Sequence, residues 1–168
     1  AKLTLAEASY ADRAPVHAIE HLAQIDLDAI RPDTRTWVHR RHADGLVRLE
    51  RYAEALTLYE RLADDDAKSE MDPLFGLHFA LALLHTPAWQ SAADVLDPIV
   101  SGDAPAQIRA VAGMLLARVQ RRSKSHQQAS HHAAQATRLA PGTHVAALSA
   151  VVVLEAERVL GNNSVPLP

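Results

Sequence analysis

Apolar and small residues fall along this chain in two superposed rhythms. The short rhythm is helical. Tyr52, Ala55, Tyr59 and Leu62 lie on one face of a 3.6-residue turn, and Trp89, Ala92, Leu96 and Ile99 repeat the same spacing. The long rhythm has a period of 37 residues: Ala18, Ala55, Ala92 and Ala129 form one series, and Ala6, Ala43, Ala80 and Ala117 form another. Within each unit the two alanines lie twelve residues apart. A helical pattern recurring at such a period predicts stacked helical hairpins, each unable to bury its apolar face alone. Midway in each unit come Asp12, Leu49, Thr86 and Ser123, again in register. Three of these are residue types that cap a helix N-terminus, and Pro87 follows Thr86, so a helix B is expected to start there after a tight turn from helix A. The paired alanines then mark the crossing of antiparallel helices, where a larger side chain would overpack the contact by roughly 1–3 kcal/mol.

Chain breakers divide the units. Arg31-Pro32-Asp33, Asp72-Pro73, Asp103-Ala104-Pro105 and Pro141-Gly142 all fall where a helix A is expected to begin. This gives a single domain over residues 1–161, with units at about 1–31, 32–68, 69–103 and 104–141 and a capping helix at 143–160. Gly161 is the natural C-cap of that last helix, and residues 162–168 form a tail. Leu3, Leu5 and Ala6 already carry the helical pattern, as expected of a segment cut from a longer protein.

The run from Arg51-Tyr52-Ala53-Glu54-Ala55-Leu56 to Tyr59 resembles the start of the second helix of the tetratricopeptide repeat (TPR) family. Ala136-Thr137-Arg138-Leu139-Ala140-Pro141 resembles that family's A-x-x-L-x-P ending, and the small residues at the two crossing positions match as well. The period is 37 rather than the family's 34, with the extra residues most easily placed in the loops between units, and the family's Trp and Gly in helix A are replaced. The resemblance implies an all-α fold: a right-handed superhelix of stacked antiparallel hairpins, here three full repeats, a truncated first repeat and a C-terminal capping helix. It also implies that the A helices line a concave groove. The groove positions are then Trp37, Arg40, Asp44, Val47 and Arg48 in the second unit. In the third they are Leu74, Leu77, Leu81, Leu84 and His85, and in the fourth Val111, Met114, Arg118, Arg121 and Arg122. Such a groove is apolar in the middle and Arg-bearing on both sides. It suits an extended or helical peptide with an apolar anchor and acidic flanks. The Lys and Asn set with which chaperone-tail variants clamp a C-terminal carboxylate does not occur at these positions, so no chaperone adaptor is expected.

Composition removes other classes. There is no Cys, which excludes disulfides, Cys-ligated zinc and a thiol nucleophile. The net charge of −3 gives no general bias toward nucleic acid. The charge is nevertheless segregated. Residues 69–103 hold five acids and no Lys or Arg, whereas residues 104–154 hold six basic residues and no acid. Ten His raise the question of metal, and the pairs His17/His21 and His39/His42 have suitable helical spacing, but neither has a third ligand adjacent. Asp64-Asp65-Asp66 lacks the spacing of a calcium loop. No Gly-rich phosphate loop and no G-x-S-x-G elbow occur. No stretch approaches the length of a membrane span. The reading is therefore a non-catalytic scaffold without cofactor or metal, whose partner is a protein or peptide, with self-association through an unfilled groove as a further option. The alternatives are a helical-repeat RNA binder using the basic stretch around Arg118 to Lys124, and an accessory repeat domain of a larger enzyme or regulator. A high Ala content and an excess of Arg over Lys point to a GC-rich bacterial genome. Location is weighted toward the cytoplasm, with the periplasm as the alternative.

Overall fold

The structure is a computed structural model that describes residues 4–6, 9, 15–65 and 72–161. Among these residues every regular element is a helix. They are α1 (Pro15–Ala23), α2 (Pro32–Arg48), α3 (Tyr52–Asp65), α4 (Pro73–Leu84), a short 3-10 turn (Trp89–Ser91) leading into α5 (Ala92–Ser101), α6 (Ala106–Arg122), α7 (His126–Leu139) and α8 (His144–Val159). Residues 4–6 and 9 are helical too.

All eight register alanines have 0 % exposure. Each helix from α1 to α8 packs on the next, and α2, α4, α6 and α8 also pack on one another in turn. That skip-one pattern makes two layers, a row of A helices backed by α3, α5 and α7. The substantial helix contacts of the described residues stop at next-but-one neighbours. A bundle around a shared centre would instead join the first helices to the last.

The largest core cluster runs from α1 to α6 and is aromatic at its centre. Tyr59 meets Phe75 edge-on at 5.3 Å and Phe79 at 5.8 Å, geometries that add to simple burial. Toward the C-terminus the core thins to alanine: Ala117, Ala129 and Ala133 with Val152, and Ala110, Ala136 and Ala140 beside them. Side chains this small contribute little apolar area each, so α6, α7 and α8 are held by close backbone approach.

The turns correct one expectation. Helix B begins at Tyr52 and His126, and the 3-10 turn that leads into α5 begins at Trp89, each three residues beyond Leu49, Ser123 and Thr86 respectively. Asp12 lies outside the described residues. Leu49 and Ser123 are C-caps of the preceding helix, and Thr86 follows the C-cap His85. The hydroxyls of Thr86 and Ser123 donate back to the Leu83 and Val119 carbonyls at 2.9 and 3.0 Å, satisfying a helix C-terminus instead of an N-terminus. The reversal itself is made by a left-handed residue at Glu50 (φ 59°) and at Lys124 (φ 62°). The Arg51 N–H bonds to the Leu46 carbonyl, and the Ser125 N–H to that of Gln120, closing a Schellman motif in both units. Gly161 (φ 77°) falls at the same register after α8. In the third unit the register holds Pro87, whose ring forbids a positive φ, and there the 3-10 turn intervenes before α5.

Helix A starts follow the breakers. Pro32 and Pro73 occupy first positions, and Pro105 is the N-cap of α6. The Asp72 carboxylate accepts from the Leu74 N–H at 3.0 Å, and the Thr143 hydroxyl from the Ala146 N–H at 3.3 Å.

Candidate partner-binding surface

The A-helix row brings chemically different side chains to equivalent positions. In α4, Leu74 is 46 % exposed and Leu81 is half-buried, whereas Leu77 (7 %) and Leu84 (8 %) pack in the core. The core also takes Val47 of α2 (8 %). The register places Leu77 in the groove, but neighbouring helices cover α4 on most sides and bury its side chain in the core. Val111 and Met114 of α6 are half-buried against the main core. Trp37 is half-buried beside Leu22 and Val38, with the Arg41 guanidinium 5.5 Å from its ring.

The cations divide by what holds them. Arg40 ion-pairs with Asp72 and lies 5.7 Å over the Phe75 ring. Arg121 ion-pairs with Glu155 of α8. Arg122 stacks 4.4 Å over Trp89, and its Nη1 donates to the Leu84 carbonyl at 3.4 Å, capping the end of α4. Arg48 is exposed. Arg118 is exposed and has no ion-pair partner among the described residues.

Two features escaped the sequence reading. The first is a repeated stack. Tyr52 and the exposed His85 lie face to face at 4.1 Å, tilted by 13°. Trp89 and Arg122, the next pair, stand one period further on in both members. The first residue of one helix B thus clasps the end of the following helix A, and lining up successive units is the signal that finds it.

The second is a polar cross-link among α2, α3 and α4. One carboxylate oxygen of Asp44 accepts from the Tyr59 hydroxyl and from His78 Nδ1, each at 2.8 Å. Burial acts to raise the Asp44 pKa, but these two hydrogen bonds, with the charges of His78 and Arg40, outweigh it and hold the carboxyl below its ordinary 3.8. Asp44 therefore spends its charge inside the fold. Among the described residues no three His, Asp or Glu side chains converge as metal ligands, and no helix is long and apolar enough to cross a membrane.

No protein-family model matches the sequence, and no curated protein is significantly similar to it. Solved structures that resemble nearly the whole chain include two of MamA. The first, the MamA RS-1 ArsTM double mutant, superposes with a TM-score of 0.70 at 16 % identity, covering 96 % of both chains. A second crystal structure of MamA gives 0.70 at 14 % identity, covering 99 % of this chain and 96 % of the other. MamA is a TPR-like protein. The fold is a TPR-like helical repeat. At such low identity the likeness carries the architecture alone. It agrees with the two-layer order of A and B helices.

Proposed function

We propose that this chain is a non-catalytic protein-interaction scaffold, one repeat domain over residues 1–161, that holds a peptide or partner protein along its A helices. The observation that carries the reading is the contrast between fixed and varying register positions. The crossing positions Ala43, Ala80 and Ala117 keep alanine, whereas one residue further along the A helices stand Asp44, Leu81 and Arg118. Of the groove residues, Leu74, Leu81, His85, Arg48 and Arg118 keep exposed or partly exposed surface, with Arg121 and Arg122 close by. Trp37, Arg40, Asp44 and Met114 are partly exposed as well, and only Leu77 is buried. The occupant this set favours is a segment with an apolar anchor near Leu74 and Leu81 and acidic residues near Arg118. The RNA alternative loses ground because Arg121 and Arg122 are engaged by Glu155 and Trp89.

The test is fluorescence anisotropy with a labelled peptide carrying one leucine between glutamates. The wild type is expected to bind, and Arg118→Glu and Leu74→Asp each to raise Kd about tenfold or more while circular dichroism stays unchanged. If both folded variants bind as the wild type does, the groove assignment is wrong.

A further inference from the structure

A hollow of about 260 Å³ opens between the start of α4, one face of α5 and the loop that leads to α6. None of its lining residues belongs to the groove proposed above. Val95, Pro98 and Ile99 lie on one face of α5 at helical spacing and form its apolar floor, with Pro73 and Ala104 as walls. Asp94 and Asp103 line it as well, and both are exposed.

Its polar groups are acceptors. Pro98 lies inside α5 and has no N–H, so the Asp94 carbonyl lacks the helix bond that position normally supplies. Asp94 and Pro98 both line the hollow, which puts this spare acceptor on its side of α5. The Gly102 N–H, at the other end, is already spent on the Pro98 carbonyl at 2.9 Å. The charge is uncompensated too. Neither Asp94 nor Asp103 has an ion-pair partner among the described residues, and residues 69–103 hold no Lys or Arg. Residues 66–71, which precede α4, carry two acids to one Lys, so their net charge has the same sign as the hollow. Apolar walls between unpaired carboxylates are the complement of an apolar side chain between cations.

We propose that this hollow takes an extended segment of a partner protein in which one apolar side chain is flanked by basic residues. Helix α5 is ten residues long, about 15 Å, with Asp94 in its first turn and Asp103 just past its end. In an extended chain, residues i, i+2 and i+4 point to one side and span about 13 Å. The pattern Arg-x-Leu-x-Arg therefore lays leucine over Val95 and Pro98 and brings one guanidinium to each carboxylate. The guanidinium at Asp94 has donors to spare for the freed carbonyl.

The probe is a labelled Arg-Ser-Leu-Ser-Arg peptide blocked at both ends, and its binding to the full chain is read by anisotropy. Saturable binding is expected, with Kd raised about threefold or more by Asp94→Asn and by Asp103→Asn, about tenfold by both together, and raised also by added salt. A peptide with serine in place of leucine should bind about tenfold more weakly, which a purely ionic contact would not require. Arg118→Glu, in the groove, should leave binding unchanged, so this outcome and that of the groove reading are independent. The proposal is overturned by absence of saturable binding, by Asp variants that bind like the wild type, or by binding that appears only in Lys68→Ala, because the hollow would then be filled by this chain itself. Gel filtration showing a dimer that disappears in Asp94→Asn/Asp103→Asn would also overturn it, since the occupant would then be a second copy.

Discussion

Replacing Gly113 measures how closely α6 and α7 approach, because the sign of the effect depends on the size of the new side chain. Gly113 is a buried residue inside α6, and a helix-interior glycine costs about 0.8–1 kcal/mol relative to alanine. A Cβ there would lie 3.5 Å from the His132 carbonyl oxygen and 3.6 Å from the Ala136 Cβ. Both are ordinary contact distances, so the added methyl fills space without displacing a neighbour. Gly113→Ala should therefore stabilise by about 0.5–1 kcal/mol, since little is lost against the propensity gain. In a chain of this size that corresponds to an increase in Tm of roughly 1–4 °C. Gly113→Leu adds three further carbons directed at the α7 backbone, which cannot give way as a flexible side chain would. Overpacking of about 1–3 kcal/mol should then outweigh the propensity gain and leave the variant less stable than the wild type. The assay is urea unfolding followed by circular dichroism. Unchanged m-values would show that the midpoints report stability and not a change in compactness. A Gly113→Leu variant as stable as Gly113→Ala would refute the close α6–α7 contact, and with it the steric reason for the alanine register.

Two further outcomes follow. Lys124 holds a positive φ without being glycine, so Lys124→Gly should raise stability by about 1 kcal/mol and Gly161→Ala should lower it by a similar amount, both read from urea midpoints. His42 has its pKa lowered from 6.5 by burial, with Arg51 and His39 adding to it, and His132 has its pKa lowered from 6.5 by burial and by His131. The unfolded chain then binds more protons than the folded one between the folded pKa values and 6.5, so stability should fall as pH drops through that range, and His42→Asn/His132→Gln should flatten the dependence of Tm on pH.

The repeat was legible because a helix crossing admits few residues, and the constraint falls on one position per helix. Ala43 and Ala80 carry their meaning through their recurrence at 37 residues. The turns were harder. A hydroxyl residue can satisfy a helix end in either direction, so Thr86 and Ser123 read as N-caps until their bonds to Leu83 and Val119 placed them on the preceding helix. Nothing in Glu50 or Lys124 advertises a left-handed backbone, since both are good helix formers. The groove was only half legible for a related reason. Pro73–Leu84 is apolar nearly all round, so periodicity could not separate exposed Leu74 from buried Leu77. Arg122 read as a ligand cation because its ring partner lies in another unit, at Trp89.

These contacts also limit where recognition can be written along the row. At the register of Asp44, Leu81, Arg118 and Glu155, packing does not force one residue type, so each unit is free to differ. Two of the four are nevertheless committed to the scaffold, Asp44 by Tyr59 and His78 and Glu155 by Arg121. Removing either would leave a partner of opposite charge or an unsatisfied donor behind, a cost that falls on folding before it falls on binding. Arg118 has no such second duty among the described residues, and Leu81 packs against the core on one side while keeping part of its surface exposed. On the proposed scaffold reading, a partner lying along the A helices would draw its selectivity from the third and fourth units, an apolar contact followed by a cationic one, while the second unit would act mainly through the rigidity that the Asp44 cross-link gives to α2, α3 and α4.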